Sequence, residues 1–146
     1  MLNNVEYGYT LALGAAEITM LEMANAYSHL STDTPAVINP ILEIRSKDGS
    51  IIYQKTGESF REEVIKPGVR FLMWKILSDP ANRVIGWVSK FNVSGLTFGL
   101  KTGTSNAKTE RGNRPRDGWV AAYTPSKVAL FRAGNADGTP MNVNAF

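Results

Sequence analysis

Leu96-Thr97-Phe98-Gly99-Leu100-Lys101-Thr102-Gly103-Thr104-Ser105 is the run on which the fold of this 146-residue chain turns. Leu96, Phe98 and Leu100 alternate with small or polar residues, the period of a strand with one apolar face. The pattern leads directly into Lys101-Thr102-Gly103-Thr104-Ser105. That run sets a cation, several hydroxyls and one residue without a side chain along a single strand. Such a set suits a carboxylate-bearing ligand lying along a strand edge. Residues 119–123 and 127–133 read as two further strands, separated by the tight turn Thr124-Pro125-Ser126. Residues 106–117 between the first two read as a basic loop, with Lys108, Arg111, Arg114 and Arg116 against Glu110 and Asp117. One long and one short connection predict an antiparallel meander of three strands.

Working outward, Thr19-Met20-Leu21-Glu22 is a capping-box pattern that opens a helix running to about Leu30. Ile18, Leu21, Ala24 and Tyr27 recur at threes and are expected to face a core. Residues 7–16 before it are small and apolar with two glycines, and read as a packed loop. Residues 31–40, polar and with two prolines, read as a loop, and 54–66 as an exposed connection. Lys47-Asp48-Gly49 between the β-rich runs 41–45 and 51–54 predicts a hairpin. Pro67 opens a second helix from the position where proline costs least. Val69, Leu72, Met73, Ile76 and Leu77 form its expected apolar stripe, and Asp79-Pro80 ends it. A short helix is expected near 84–88. The fold class is therefore α+β: an antiparallel sheet of about three strands plus a β-hairpin, flanked by helices, in one domain over 1–146.

Composition narrows the function. Apolar residues are 43% of the chain, enough for a core, and a formal charge of +3 does not argue for nucleic acid. The chain has no cysteine, which excludes disulfides, thiol catalysis and thiolate metal sites. His29 is the single histidine, so a multi-histidine metal site is excluded and any Ser-His-Asp triad would have to use it. No cofactor is expected. No segment has the length and apolarity of a membrane span, and Met1-Leu2-Asn3-Asn4 does not open a signal peptide.

Lys101-Thr102-Gly103 has companions. Downstream stand Asp117-Gly118-Trp119-Val120-Ala121-Ala122-Tyr123-Thr124-Pro125 and Gly134-Asn135-Ala136-Asp137-Gly138-Thr139-Pro140-Met141. Upstream stand Leu11-Ala12-Leu13-Gly14, Glu17-Ile18-Thr19 and Leu21-Glu22-Met23-Ala24-Asn25-Ala26-Tyr27. In this order they closely resemble the transpeptidase domain of bifunctional (class A) penicillin-binding proteins, over nearly the whole chain. The resemblance implies an incomplete domain of the penicillin-binding-protein and β-lactamase type. It implies that Lys101 organises the nucleophile and attracts the substrate carboxylate. Thr102 and Thr104 would offer hydroxyls to that carboxylate, Gly103 would keep the strand edge clear, and Ser105 would complete the substrate-binding run. The backbone N–H of Thr104 matches the family's oxyanion-hole donor. The partners implied are peptidoglycan stem peptides and β-lactams, and the place implied is the extracytoplasmic face of the bacterial inner membrane.

The departures from the family are as informative. Ser105-Asn106-Ala107-Lys108 is the single Ser-x-x-Lys, and it follows the Lys-Thr-Gly run in a polar segment, where the family's nucleophile opens a buried helix far upstream. No Ser-x-Asn occurs. The expectation is therefore the later part of a D,D-transpeptidase domain, with the nucleophile serine outside this chain. Two other classes stay open: a non-catalytic binding or interaction module, and a polyanion binder acting through the basic residues of 108–116. With a partnering strand outside the chain, residues 127–133 are expected to form an open edge able to support a homo-oligomer.

Overall fold

The computed structural model describes residues 8–32, 38–57, 63–84, 86–109 and 112–142. The α-helices among them are Met20–Ser31 (α1) and Pro67–Ser78 (α2). The strands are Glu43–Arg45 (β1), Ile51–Gln54 (β2), Gly99–Thr109 (β3), Gly112–Thr124 (β4) and Lys127–Gly134 (β5). β1 and β2 make the expected antiparallel hairpin, and β3-β4-β5 make the expected antiparallel meander.

Local chemistry accounts for the element ends. At α1, Thr19 Oγ1 accepts from the Glu22 backbone N–H at 3.2 Å, and the Glu22 carboxylate accepts the Thr19 backbone N–H at 2.8 Å. These reciprocal bonds satisfy two amides that a helix start leaves open. They hold the Glu22 carboxyl below its ordinary range, the backbone amide of Thr19 being the larger cause. The β1–β2 turn closes on Ser46 N–H to Ser50 C=O at 2.8 Å, and Gly49 supplies the positive φ of 90° that it needs. Pro67 stands in the first turn of α2, and Asp79 ends that helix as expected.

Pairing fixes which side chains share a face. Gly99, Lys101, Gly103 and Ser105 stand opposite Tyr123, Ala121, Trp119 and Asp117, so these eight lie on one face of the sheet. The helices pack on the Tyr123 end of that face. Tyr123 is 1% exposed, with Trp74 of α2 edge-on at 5.6 Å and Tyr27 of α1 at 6.2 Å. Burial raises the phenol pKa of both tyrosines, and Tyr27 adds to the effect on Tyr123. Gly99 makes this packing possible. A Cβ built there would lie 2.5 Å from Tyr123 Cζ and 2.9 Å from its hydroxyl.

Several expectations are corrected. The largest concerns 106–117, read as a loop. β3 continues to Thr109 and β4 begins at Gly112, with Asn106 opposite Pro115 and Ala107 opposite Arg114. The segment is a long hairpin arm, with an irregularity beside Ser105 that leaves Arg116 as the extra residue. Residues 110–111 at its tip lie outside the described residues. In α2 the packed stripe is Arg70, Met73, Trp74, Leu77 and Ser78, one position on from the expected one. Val69, Leu72 and Ile76 are each at least half exposed. Ile18 and Leu21 are exposed as well, while Ala24 and Tyr27 are half-buried. Gly8–Leu13 is a 3-10 helix with exposed side chains, not a packed loop. Residues 86–90 form turns rather than a helix, and residue 84 has no regular structure. Leu96 lies before β3 and is exposed, whereas Phe98 and Leu100 are buried. Residues 33–37 and 58–62 of the expected connections lie outside the described residues.

Two predictions follow from this packing. Gly99→Ala should destabilise the chain by about 2 kcal/mol in urea denaturation, because the methyl group overpacks Tyr123. Gly103→Ala, whose Cβ would meet only Trp119 Cβ at 3.6 Å, should stay within about 0.5 kcal/mol. The second prediction concerns pH. The folded-state pKa of Glu22 is depressed, so its capping contribution is present above the unfolded value and lost as pH falls through the folded one. The melting-temperature gap between wild type and Glu22→Ala should therefore be full at neutral pH and narrow below the usual glutamate pKa of about 4.3.

Candidate functional site

β3 carries the candidate residues and is an outer strand, paired with β4 alone among the described residues. In an antiparallel pair, alternate residues turn their N–H and C=O groups away from the partner. The far edge of β3 thus presents backbone donors and acceptors beside Lys101, Thr102, Gly103, Thr104 and Ser105. Lys101, Gly103 and Ser105 share the Tyr123 face, while Thr102 and Thr104 stand on the other. The five residues therefore meet along an edge and not over one face. A ligand contacting all of them would have to lie along that edge.

Exposure fits this geometry. Lys101 and Thr104 are exposed, and Thr102, Gly103 and Ser105 are half-buried. The Lys101 ammonium donates to the Thr102 carbonyl at 2.5 Å. Gly103 has no packing reason to be glycine, since an added Cβ makes only an ordinary contact. Gly99, two pairs along the same strand, does have one. The contrast separates a glycine that the fold requires from one that leaves the strand open.

Ser105 belongs to a polar network that sequence reasoning missed. Its hydroxyl donates to Asp117 Oδ2 at 2.7 Å across the β3–β4 pair. Asp117 Oδ1 accepts from the Arg132 guanidinium on β5. Asp117 is 8% exposed and is the buried charged residue of the described chain. Arg132 stands opposite Trp119, one pair along from Asp117, and its guanidinium lies 5.9 Å from the Trp119 ring centre. Gly134, directly opposite Asp117, leaves the carboxylate room. A Cβ there would fall 3.0 Å from the Arg116 carbonyl oxygen and closer still to Asp117 Oδ1. Beyond β5, Met141 N–H returns to the Pro115 carbonyl at 2.8 Å, tying the following segment to the irregular end of β4.

The signal for Asp117 was present as alternation, Asp117-x-Trp119-x-Ala121-x-Tyr123, but its charge and the neighbouring Arg116 suggested a loop. A cleft of about 450 Å³ between α1 and the β4–β5 turn, bordered by Leu21, Asn25, Ser28 and Val128, holds none of the motif residues. No group of acidic, histidine or cysteine side chains suited to a metal ion occurs among the described residues.

Residues 3–138 match the family model of the penicillin binding protein transpeptidase domain. The chain belongs to that family. Its fold is similar to that of the penicillin-binding protein PonA1 from Mycobacterium tuberculosis, with a TM-score of 0.71 at 21% identity over 94% of this chain. PonA1 in complex with penicillin V is similar with a TM-score of 0.68 at 21% identity over 92% of this chain. The chain spans about a third of these structures, 35% and 34% of their lengths. No curated protein matches it.

Within this penicillin-binding transpeptidase segment, the Arg132–Asp117 pair is the electrostatic tie that crosses the sheet. Arg132→Met would leave a buried carboxylate with one hydroxyl partner. It should cost about 2 kcal/mol in urea denaturation, the guanidinium being a third exposed. Lys127→Met at the far end of β5, outside the network, should cost less than about 0.5 kcal/mol.

Proposed function

We propose that this chain is the later part of a class A peptidoglycan D,D-transpeptidase domain, supplying the strand that binds the stem peptide or a β-lactam. The observation that carries the reading is Lys101-Thr102-Gly103 on the outer strand of the sheet, with an exposed lysine and a glycine that packing does not require. An extended peptide adds to such an edge through main-chain hydrogen bonds.

In this reading a serine from outside the chain attacks the penultimate D-Ala carbonyl. The C–N bond breaks, D-Ala leaves with a proton on its amine, and the acyl-enzyme ester passes to an amine of a neighbouring strand. Lys101 attracts the substrate carboxylate and holds positive charge beside the nucleophile. The Thr102 and Thr104 hydroxyls bond that carboxylate, and the Thr104 backbone N–H donates to the developing oxyanion. Ser105 is not the nucleophile. It lies on a strand, where residues three apart do not share a face as they do on a helix. The reaction belongs on the extracytoplasmic face of the inner membrane. β5, paired with β4 alone among the described residues and carrying a 63% exposed Phe131, would meet another part of the parent protein or a second copy.

Two measurements test this. The chain by itself, incubated with a fluorescent penicillin and weighed intact, should carry no covalent adduct; a stoichiometric adduct would overturn the assignment of the nucleophile. In the complete protein, Lys101→Ala should lower the second-order acylation rate about a hundredfold, and Thr104→Val should lower it less, by about tenfold, because it loses the hydroxyl that bonds the carboxylate and keeps the backbone oxyanion donor. Equal rates for Lys101→Ala and wild type would remove Lys101 from the site.

A further inference from the structure

The β1–β2 hairpin stands apart from the rest of the chain. No other described helix or strand packs on it, and a two-stranded hairpin is at most marginally stable alone. Its hydrogen bonds show which backbone groups are open. The Leu42 carbonyl accepts from the Lys55 N–H at 2.9 Å, Ile44 stands opposite Tyr53, and the Ser46 N–H donates to the Ser50 carbonyl at 2.8 Å. These alternate residues turn their backbone groups toward β2, so Glu43 and Arg45 turn theirs outward. The side chains of Glu43 and Arg45 share one face, where Arg45 Nη2 donates to Glu43 Oε2 at 3.0 Å. Leu42, Ile44 and Tyr53 stand on the other face, and all three are exposed.

We infer that the outer edge of β1 is a self-pairing edge, occupied by β1 of a second copy of this chain, antiparallel about Ile44. A twofold pairing centred there sets Glu43 of each copy opposite Arg45 of the other. The residues with outward backbone groups are thus the same two whose charges match. Each copy donates and accepts through both of them, and opposite charges directly across a ladder attract. The charges also fix the register. A shift of two residues in either direction sets Glu43 against Glu43 or Arg45 against Arg45. The other face gains a continuous apolar stripe, Leu42, Ile44 and Tyr53 from each copy, across four strands. The remaining open edges do not match themselves in this way. β2 is uncharged, β3 carries Lys101 and Lys108 without an acid, and β5 carries Lys127 and Arg132 without an acid. A copy laid along β5 would set Lys127 against Arg132, and like charges across a ladder repel. The contact along β1 is short, so the dimer it forms is a weak one that depends on concentration. It is independent of the transpeptidase reading.

The test is sedimentation velocity on this chain up to millimolar concentration, with no penicillin present. The average mass of wild type should rise from that of one chain towards that of two. Glu43→Arg and Arg45→Glu should each weaken the dimer about tenfold, since the twofold axis turns two attractive pairs into two repulsive ones. An equal mixture of the two variants should dimerise again, because every charge then meets its opposite. The double variant Glu43→Arg/Arg45→Glu, which keeps the pairing reversed, should behave as wild type. A wild-type chain that stays monomeric overturns the inference. So does a dimer that both single variants leave intact, and so does a mixture that is no tighter than its components. Amide exchange gives a reading that needs no substitution: protection of the Glu43 and Arg45 N–H groups should grow with concentration, while that of residues 128–132 should not. The reverse pattern would move the interface to β5 and overturn the inference.

Discussion

The packing of Tyr123 against Gly99 is the contact on which the rest depends. Tyr123 is the large side chain that the described residues bury fully, and its ring occupies the space a Cβ at position 99 would need. Both helices reach the sheet through it, α1 by Tyr27 and α2 by Trp74. Its hydroxyl has no hydrogen-bond partner among the described residues, so its contribution comes from ring packing and apolar burial. The same pairing sets the register of β3 on β4. A slip of β3 by one residue would carry Lys101 to the face opposite Tyr123. The position of the lysine is thus tied to a tyrosine that makes no chemistry of its own.

From that anchor the sheet changes character along its length. At the Gly99–Tyr123 end it is covered by helices and apolar. Ala121, opposite Lys101, is still buried. Two pairs further on, Ser105 and Asp117 replace apolar packing with a charge-assisted network, and beyond them the strands run on as a hairpin arm. The Lys-Thr-Gly run spans the crossover between these regimes. It is rigid because it is paired along its whole length on one side, and it is available because its other edge is open among the described residues. The proposed role needs both properties, since donors that must reorganise on binding lose part of their effect.

Local signals were legible in the sequence wherever one short stretch determines the outcome. Thr19 and Glu22 make their capping box, Asp48-Gly49 makes its turn, Pro67 opens its helix, and the three last strands form a meander. What was not legible depends on pairing. Residues 106–117 hold a glycine, a proline and six charged residues, so their strand character appears only once Asn106 finds Pro115 and Ala107 finds Arg114. The packed stripe of α2 is displaced by one residue because Arg70 takes an inward position, where it donates to the Thr32 and Ile65 carbonyls and pairs with Glu63. An arginine at that place carries no hydrophobic signal. The candidate run 101–105 was readable as a motif, but its division between two faces was not.

Asp117 makes the same point for chemistry. A carboxylate in a segment with four basic residues reads as one charge among several, and only the sheet shows that it is buried. Its burial requires three conditions that lie on different strands: a hydroxyl directly opposite, a guanidinium on the diagonal, and no side chain at position 134. Removing any one leaves a charge with poor solvation and poor pairing, which is costly in a low-dielectric setting. An arrangement with so many requirements is a poor way to stabilise a sheet, because a well-packed apolar pair on the same three strands would serve as well. What it does that an apolar pair cannot is fix the direction of one hydroxyl hydrogen beside the candidate run 101–105. The network therefore fixes a local hydroxyl direction through demands that the sheet's stability alone does not make.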